Sequence, residues 1–285
     1  MTERGKYAGQ DDDARPGAQA MVGDAIAGSA MKGFSKPGFL PVYLRNLLVW
    51  RRLARASLLA NIADPLIMLI AFGYGLGSLI PDVKGIPYIV YLAGGTVCMS
   101  AAMSASFESL YSAFSRMHVQ RTWEAIINTP VRLSDVLMAE WLWAASKASF
   151  SGLAILIVIF VLGLSREPTM LLAIPVIMLA GLVFAGIGLC FNALAQGYDF
   201  FTYYFTLFLT PMIFVSGTYY PVEQLPDWLG RISAVLPLTA AVELARPLVL
   251  GRMPENSLTN LLLLTAYAGG AYLLALRLTL RRFNT

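Results

Sequence analysis

Three ionisable side chains stand inside otherwise apolar stretches of this sequence: Asp64, Glu108 and Lys147. Isolated charges in hydrocarbon are costly, whereas opposite charges together are tolerated. The chemistry these three suggest is therefore charge pairing, an intramembrane ion cluster rather than a catalytic group, with independent snorkelling to the interface the alternative, above all for Lys147. Catalysis has little else to draw on. One histidine, His118, cannot build a multi-histidine metal site, and the two cysteines, Cys98 and Cys190, lie in apolar runs where a thiol serves as a small packing group. No GxxxxGK[ST] phosphate loop occurs, so ATP would have to be hydrolysed on a separate polypeptide. No metal and no cofactor is expected on this chain.

Composition sets what must position these groups. Charged residues are 13% of the 285, hydrophobic residues 57%, and the mean hydropathy is +0.64. Soluble domains carry about 25% charge, so the expectation is an all-α membrane protein. At about 20 apolar residues per crossing, six transmembrane helices can be marked at about 58–80, 86–111, 142–164, 171–194, 200–217 and 258–280. Asp64, Glu108 and Lys147 then all fall within roughly 5–9 Å of the same membrane edge, at 1.5 Å per residue.

Lys and Arg counts orient the spans. Fifteen lie on the side holding both termini and the 2–3 loop, five on the other, and Lys147 is within span 3. Both termini are thus expected in the cytoplasm of a multi-pass protein of the bacterial inner membrane. The net charge of +4 reads as topology, not nucleic-acid binding. Residues 1–38 contain Asp11-Asp12-Asp13, scattered Gly and Ala and no signal-peptide apolar core. They read as a disordered cytoplasmic tail, with a weak helix around Ala20–Met31.

Residues 39–56 include "VYLRNLLVWRRLARA". Tyr43, Leu47, Trp50 and Ala54 fall on one helical face, with Arg45 and Arg52 opposite, the pattern of an amphipathic helix lying at the membrane interface, with a plain cytoplasmic extension of span 1 the alternative. Gly73 and Gly77 in span 1, and Gly94, Gly95, Ser100, Ala101, Ser104 and Ala105 in span 2, are small residues that let helices approach in lipid. Residues 218–254 carry five prolines amid apolar sequence, which fits a re-entrant helical segment between spans 5 and 6, with a helical cap outside the membrane as the alternative.

The polar stretch "QRTWEAIINTPVRLSDVLMAEW" from Gln120 to Trp141 interrupts the apolar pattern. Val119, Trp123, Ile126 and Ile127 take one helical side; Arg121, Glu124 and Asn128 take the other. Thr129-Pro130 stops this helix, and Ser134 is placed to cap the next one. An ordinary loop and a docking knob for a soluble partner both fit this pattern.

"QRTWEAIINTPVRLSDVLMAEWLWAASKAS" resembles the first cytoplasmic loop of ABC-2-type exporter permeases. "NIADPLIMLIAFGYGLG" resembles their first span, and "TPMIFVSGTYYPVEQLPDWL" with "LPLTAAVELARPLVLGR" the end of span 5 and the re-entrant region. Within that family the resemblance is to the nodulation-factor, lipo-oligosaccharide exporter type, over about Trp50 to Arg282, so that 39–285 is one ABC-2-type transmembrane domain. Where a polar residue is expected after "PL", this chain has Thr239-Ala240-Ala241.

The resemblance implies the permease subunit of an ATP-driven exporter of a lipo-oligosaccharide or other glycolipid, paired as a homodimer, set among membrane lipids, with a cytoplasmic ABC ATPase carrying ATP and Mg. It implies that Arg121, Trp123, Glu124 and Ile127 form the coupling helix that docks in the ATPase, and that Ala195–Asp199 adds a smaller contact. By analogy, Tyr198, Tyr203, Tyr204 and Phe208 are candidate substrate-path aromatics, since aromatic faces stack on sugar rings; an interfacial aromatic belt is the plainer reading. A drug exporter of the same family and a secondary carrier are the rivals, though no inverted repeat is evident.

Overall fold

A computed structural model describes residues 38–284 apart from Pro81, and omits the side chains of several residues between Leu53 and Pro65, Asp64 among them. The expected tail over residues 1–38 falls, but for Gly38, outside the described residues. Nine helices and one hairpin make up the rest: α1 (Phe39–Gly75), β1 (Asp82–Val83), β2 (Ile86–Pro87), α2 (Tyr88–Val119), α3 (Thr122–Ile127), α4 (Leu133–Val161), α5 (Ala173–Leu194), α6 (Asp199–Val215), α7 (Asp227–Val235), α8 (Pro237–Val249) and α9 (Ser257–Asn284). One end of the bundle carries α3; the other carries the hairpin.

Among the described residues, four helices are long and apolar enough to cross a membrane: α2, α4, α9, and α5 with the short 3-10 turn before it. The bent pair α7–α8 brings the number to five, and the shorter apolar helices Leu66–Ser78 and Asp199–Val215 occupy the places of expected spans 1 and 5. Helix α2 runs eight residues beyond the expected end at Tyr111, and α4 begins nine before the expected start at Leu142. Both extensions carry charge that turns inward and pairs, so they need no water to be stable.

The opening helix also differs from expectation. Instead of an interfacial helix over 39–56 followed by a separate span, α1 is continuous from Phe39 to Gly75. Nothing between Tyr43 and Asp64 breaks it, since that stretch holds neither Gly nor Pro. Its apolar face meets protein. Val42 and Asn46 are buried, the Tyr43 and Ser146 hydroxyls lie 3.0 Å apart, and Trp50 stacks on Phe150 of α4 at 5.2 Å.

Helix α5 packs on α4, α2 and α9, and α8 closes the hairpin end against α2, α5 and α9. Small residues permit these approaches. A Cβ on Gly181 would come within 2.8 Å of the Ala148 Cβ, and one on Gly73 within 2.6 Å of Ile89. Gly77 meets nothing closer than Tyr88 at 3.9 Å, so of that GxxxG pair only Gly73 is needed for packing. At the C-terminal end of α5, Arg282 Nη1 donates to the carbonyls of Asn192, Ala193 and Ala195, at 3.0, 3.1 and 2.7 Å. A cation there satisfies the helix's last acceptors and its dipole.

Helices α7 and α8 meet at 82°. Leu236 precedes Pro237 and is extended, as a residue before proline prefers, while Pro237 opens α8 where no amide donor is required. Ten of the thirteen α8 residues are buried, but in α7 only Ser233 is.

Candidate functional site

Four charges from two helices converge at the α3 end. Glu108 and Arg116 come from α2, Glu140 and Lys147 from α4. Arg116 Nη2 donates to Glu108 Oε1 at 2.8 Å and to Glu140 Oε2, while its Nε donates to Glu140 Oε1 at 2.9 Å. Lys147 Nζ donates to Glu108 Oε2 at 2.7 Å. Two tryptophans complete the shell: Trp143 Nε1 donates to Glu108 Oε1 at 2.8 Å, and Trp123 Nε1 to Glu140 Oε1 at 3.3 Å. Glu108 is 3% exposed and Glu140 1%. Two acids and two bases balance, and each carboxylate is met by a guanidinium, which is what burial of charge demands.

Glu108 and Lys147 of the expected cluster are thus in contact, while the side chain of Asp64 lies outside the described residues. Arg116 and Glu140 had no place in that expectation; Arg116 counted only toward topology, and Glu140 only as a polar residue of the returning helix. A signal existed. Glu140, Trp143 and Lys147 at i, i+3 and i+7 form one helical stripe of polar tips within a helix that is otherwise apolar.

The α2 backbone helps to bring Glu108 and Arg116 together. Glu108–Ser112 and Ser115–Val119 are wound as π-helix, with Gln120 N donating five residues back to Ser115 O at 2.8 Å. Such turns are rare and concentrate at functional places. Arg121 then adopts φ 49°, a left-handed backbone uncommon outside glycine, and this reverses the chain into α3.

Helix α3 has two faces. Arg121 and Glu124 are exposed, whereas Trp123 is 1% exposed, with its ring 6.4 Å from Phe283 of α9. Ile126 and Ile127 are half-buried against the core. Among the four expected docking residues, Arg121 and Glu124 therefore face outward, Ile127 sits on the boundary, and Trp123 anchors the helix to the bundle. Val119 is exposed and belongs to α2, not to α3. The next helix starts at Leu133, with Arg132 at its cap and Asp135 Oδ2 accepting from Arg132 N at 3.3 Å; Ser134 lies one residue inside, so the expected cap is displaced.

The aromatics of α6 do not share a face. Tyr204 is in the core, its hydroxyl 2.8 Å from Ser106 Oγ and its ring against Phe191. Phe208 is half-buried beside Phe191. Tyr198 and Tyr203 are exposed, Tyr198 stacked on Tyr111. Tyr204 and Phe208 lie side by side, their rings 5.4 Å apart, while Tyr198 and Tyr203 are turned outward.

At the hairpin end a second guanidinium is held without an acid. Arg246 of α8 lies over the Tyr91 ring at 3.8 Å, its Nε donating to Tyr91 O at 3.1 Å and its Nη2 to Gly217 O and Thr218 O at 2.7 and 3.2 Å. A Cβ on Gly94 would meet Arg246 Cγ at 2.8 Å, and one on Gly95 would meet Thr218 O at 2.7 Å, so both glycines make room for it. Among the described residues, no group of three or more His, Cys, Asp or Glu could hold a metal ion.

Comparison with known proteins places this arrangement. Residues 39–250 match the family model described as ABC-2 type transporter. The chain is similar to Nodulation protein J of Bradyrhizobium diazoefficiens, 44% identical over 241 residues, which are 85% of this chain and 92% of that protein. It is similar to Nodulation protein J of Sinorhizobium fredii, 42% identical over 244 residues, 86% and 93% of the two chains. A more distant relative is the inner membrane transport permease YadH of Escherichia coli, 21% identical over 198 residues, 69% and 77% of the two.

Proposed function

Because the chain belongs to the ABC-2 type transporter family and is a multi-pass membrane transport subunit, we propose that it exports a lipo-oligosaccharide, driven by a separate ABC ATPase. The observation that carries the coupling half of this reading is the two-faced α3. Arg121 and Glu124 point away from the bundle, while Trp123 of the same short helix ties to Glu140 in a buried ion network. A helix so anchored moves with α2 and α4 when pushed. Arg121 and Glu124 contact the ATPase; Trp123, Glu140, Arg116, Glu108 and Lys147 pass the displacement into the bundle. The α3 end then faces the cytoplasm, in keeping with the Lys and Arg excess there.

Two permeases pair, with six crossings each, α1 and α6 supplying those that their shorter apolar helices leave open by length. The substrate class rests on the resemblance of about Trp50 to Arg282 to the lipo-oligosaccharide exporter type, and the likeness to the Nodulation protein J relatives spans most of both chains. The chemical step is on the ATPase, so this chain's part is mechanical: closure of the ATPase dimer displaces α3, and the network shifts α2 against α4.

The test is co-purification with a co-expressed candidate ABC ATPase, followed by ATP hydrolysis in proteoliposomes. Stimulated hydrolysis that falls at least fivefold in Arg121→Glu/Glu124→Lys, with unchanged elution of the permease alone, is expected. An intact complex with full stimulation in that double variant would remove α3 as the coupling element.

A further inference from the structure

Three hollows lie side by side at the hairpin end. The first, of about 370 Å3, is polar: Arg246, Glu243 and Asn260 line it, with Arg252, Glu255 and Asn256 among its exposed residues. The second, of about 300 Å3, is apolar, bounded by Phe72 in the last turn of α1 and Leu76 just beyond it, Tyr88 at the start of α2, and Phe214 in the last turn of α6 with Tyr219 beyond it. A third, of about 310 Å3, lies between them. It shares Ile80, Val83 and Gln224 with the apolar hollow and Lys84 and Glu223 with the polar one, and Pro221 borders all three. Both end cavities have the size of small-molecule sites.

We infer that the three form one binding site for an amphipathic lipid with an uncharged sugar head, its acyl chain in the Phe72–Phe214 groove and its hydroxyls in the Arg246–Asn260 cavity. The inference rests on the exporter reading above and specifies where on this chain the cargo is held. An apolar arm adjoining a polar arm selects an amphipath over a free sugar or a plain hydrocarbon.

The make-up of the polar arm selects the head. Lys84, Arg246 and Arg252 are matched by Glu223, Glu243 and Glu255, so the formal charges lining it cancel. A phosphate head would meet three carboxylates and gain no net attraction. A polyol both donates and accepts, and finds guanidinium donors, amides of both kinds and carboxylate acceptors together.

Arg246 gives this arm a fixed floor. Three carbonyls and the Tyr91 ring hold its guanidinium, and among the described residues no carboxylate lies within 4.0 Å of it. Glu243 is oriented by Asn260 Nδ2, which donates to its Oε2 at 2.8 Å. The exposed Lys84–Glu223 pair, at 2.8 Å, borders the junction between the arms, where an exposed ion pair of small net value can open without large cost.

The experiment uses the permease with its ATPase in phosphatidylcholine nanodiscs. Two probes carry the same diazirine-bearing dodecyl tail, one on maltose and one on a phosphate monoester. The maltoside is expected to label peptides containing Phe72–Ile80 and Tyr219–Gln224, at least fivefold more than the phosphate. Leu76→Trp, which fills the apolar arm, should cut that labelling at least fivefold, and so should Gln224→Trp on the exposed rim, a second variant in case the first misfolds.

Equal labelling by both probes, absence of labelling, or indifference to both variants overturns the site. So does oxidative cross-linking of Leu76→Cys permeases to one another, which would mean a second copy covers the groove. ATP hydrolysis is read on the same samples. Lost labelling with stimulated hydrolysis defeats the site and leaves the exporter; failure of the ATPase to bind defeats the exporter, while the contrast between probes still decides the site.

Discussion

Arg116 and Arg246 are both guanidinium groups drawn into the fold, one at each end, and they are satisfied in opposite ways. Arg116 is matched by two carboxylates, and a lysine completes a neutral set of four. Arg246 is held by three backbone carbonyls and a tyrosine ring, which satisfy its hydrogen bonds without cancelling its charge. The closed network at the α3 end is built to hold helices in fixed relation. The hairpin end sets a firmly held guanidinium at the floor of an open cavity whose formal charges cancel.

The largest effect should come from opening the closed network. Glu140→Ala leaves Arg116 one carboxylate short and strips Trp123 Nε1 of its acceptor; breaking a buried pair costs about 3–5 kcal/mol. The thermal transition of the purified permease should fall steeply, and a shift as small as that of an exposed control such as Glu124→Ala would show that the network is not structural. Reversing charges is not a clean alternative. Swapping Glu108 and Lys147 would restore that pair but set a lysine against Arg116, so Lys147→Glu/Glu108→Lys is expected to stay inactive.

At the other end the vulnerable element is backbone. Gly95→Leu would drive a side chain into Thr218 O and the Arg246 guanidinium, and should abolish export and lower the yield of folded protein. Arg246→Lys should keep the charge while losing the fork and the ring contact, reducing transport in vesicles several-fold with a cost of about 1–3 kcal/mol in stability. If lysine served equally well, the cradle would be needed only for charge.

Trp123→Phe sharpens the contrast between holding and transmitting. It keeps most of the packing and removes one donor, at about 1 kcal/mol. Stimulated ATP hydrolysis should fall several-fold while the melting temperature moves by only a few degrees.

The smallest effect is at the exposed Lys84–Glu223 pair. The hydrogen bond from Lys84 holds the Glu223 carboxyl below its ordinary range. A depressed carboxyl adds stability that is complete above its unfolded value and disappears as pH falls through the folded one. The difference in melting temperature between wild type and Lys84→Met should therefore be present at pH 7 and close in acid. A gap that persisted below pH 3 would have another cause.

The all-helical membrane class could be read from hydropathy, and the proline breaks gave the bend between α7 and α8. Apolar length alone set expected ends short of the helix ends of α2 and α4, because residues such as Arg116 and Glu140 look like boundaries until their partners are known. Trp123 was legible as lying on the apolar side of α3, but sequence could not say whether that side met a partner or the bundle. Arg246 was hidden for the opposite reason: its partners are carbonyl oxygens, which leave no mark in side-chain identity.

The π-wound stretch of α2 has a further consequence. Each π turn holds more residues than an α turn, so this segment sets the rotational phase of everything after it. Removing one residue, Ser112 for instance, would turn Arg116 by about 100° relative to Glu108 and swing α3 round with it. The helix would still be helical and still apolar, yet its two ends would no longer agree on direction. Residue number between Glu108 and Arg121 is therefore as much a part of this molecule's working parts as residue identity.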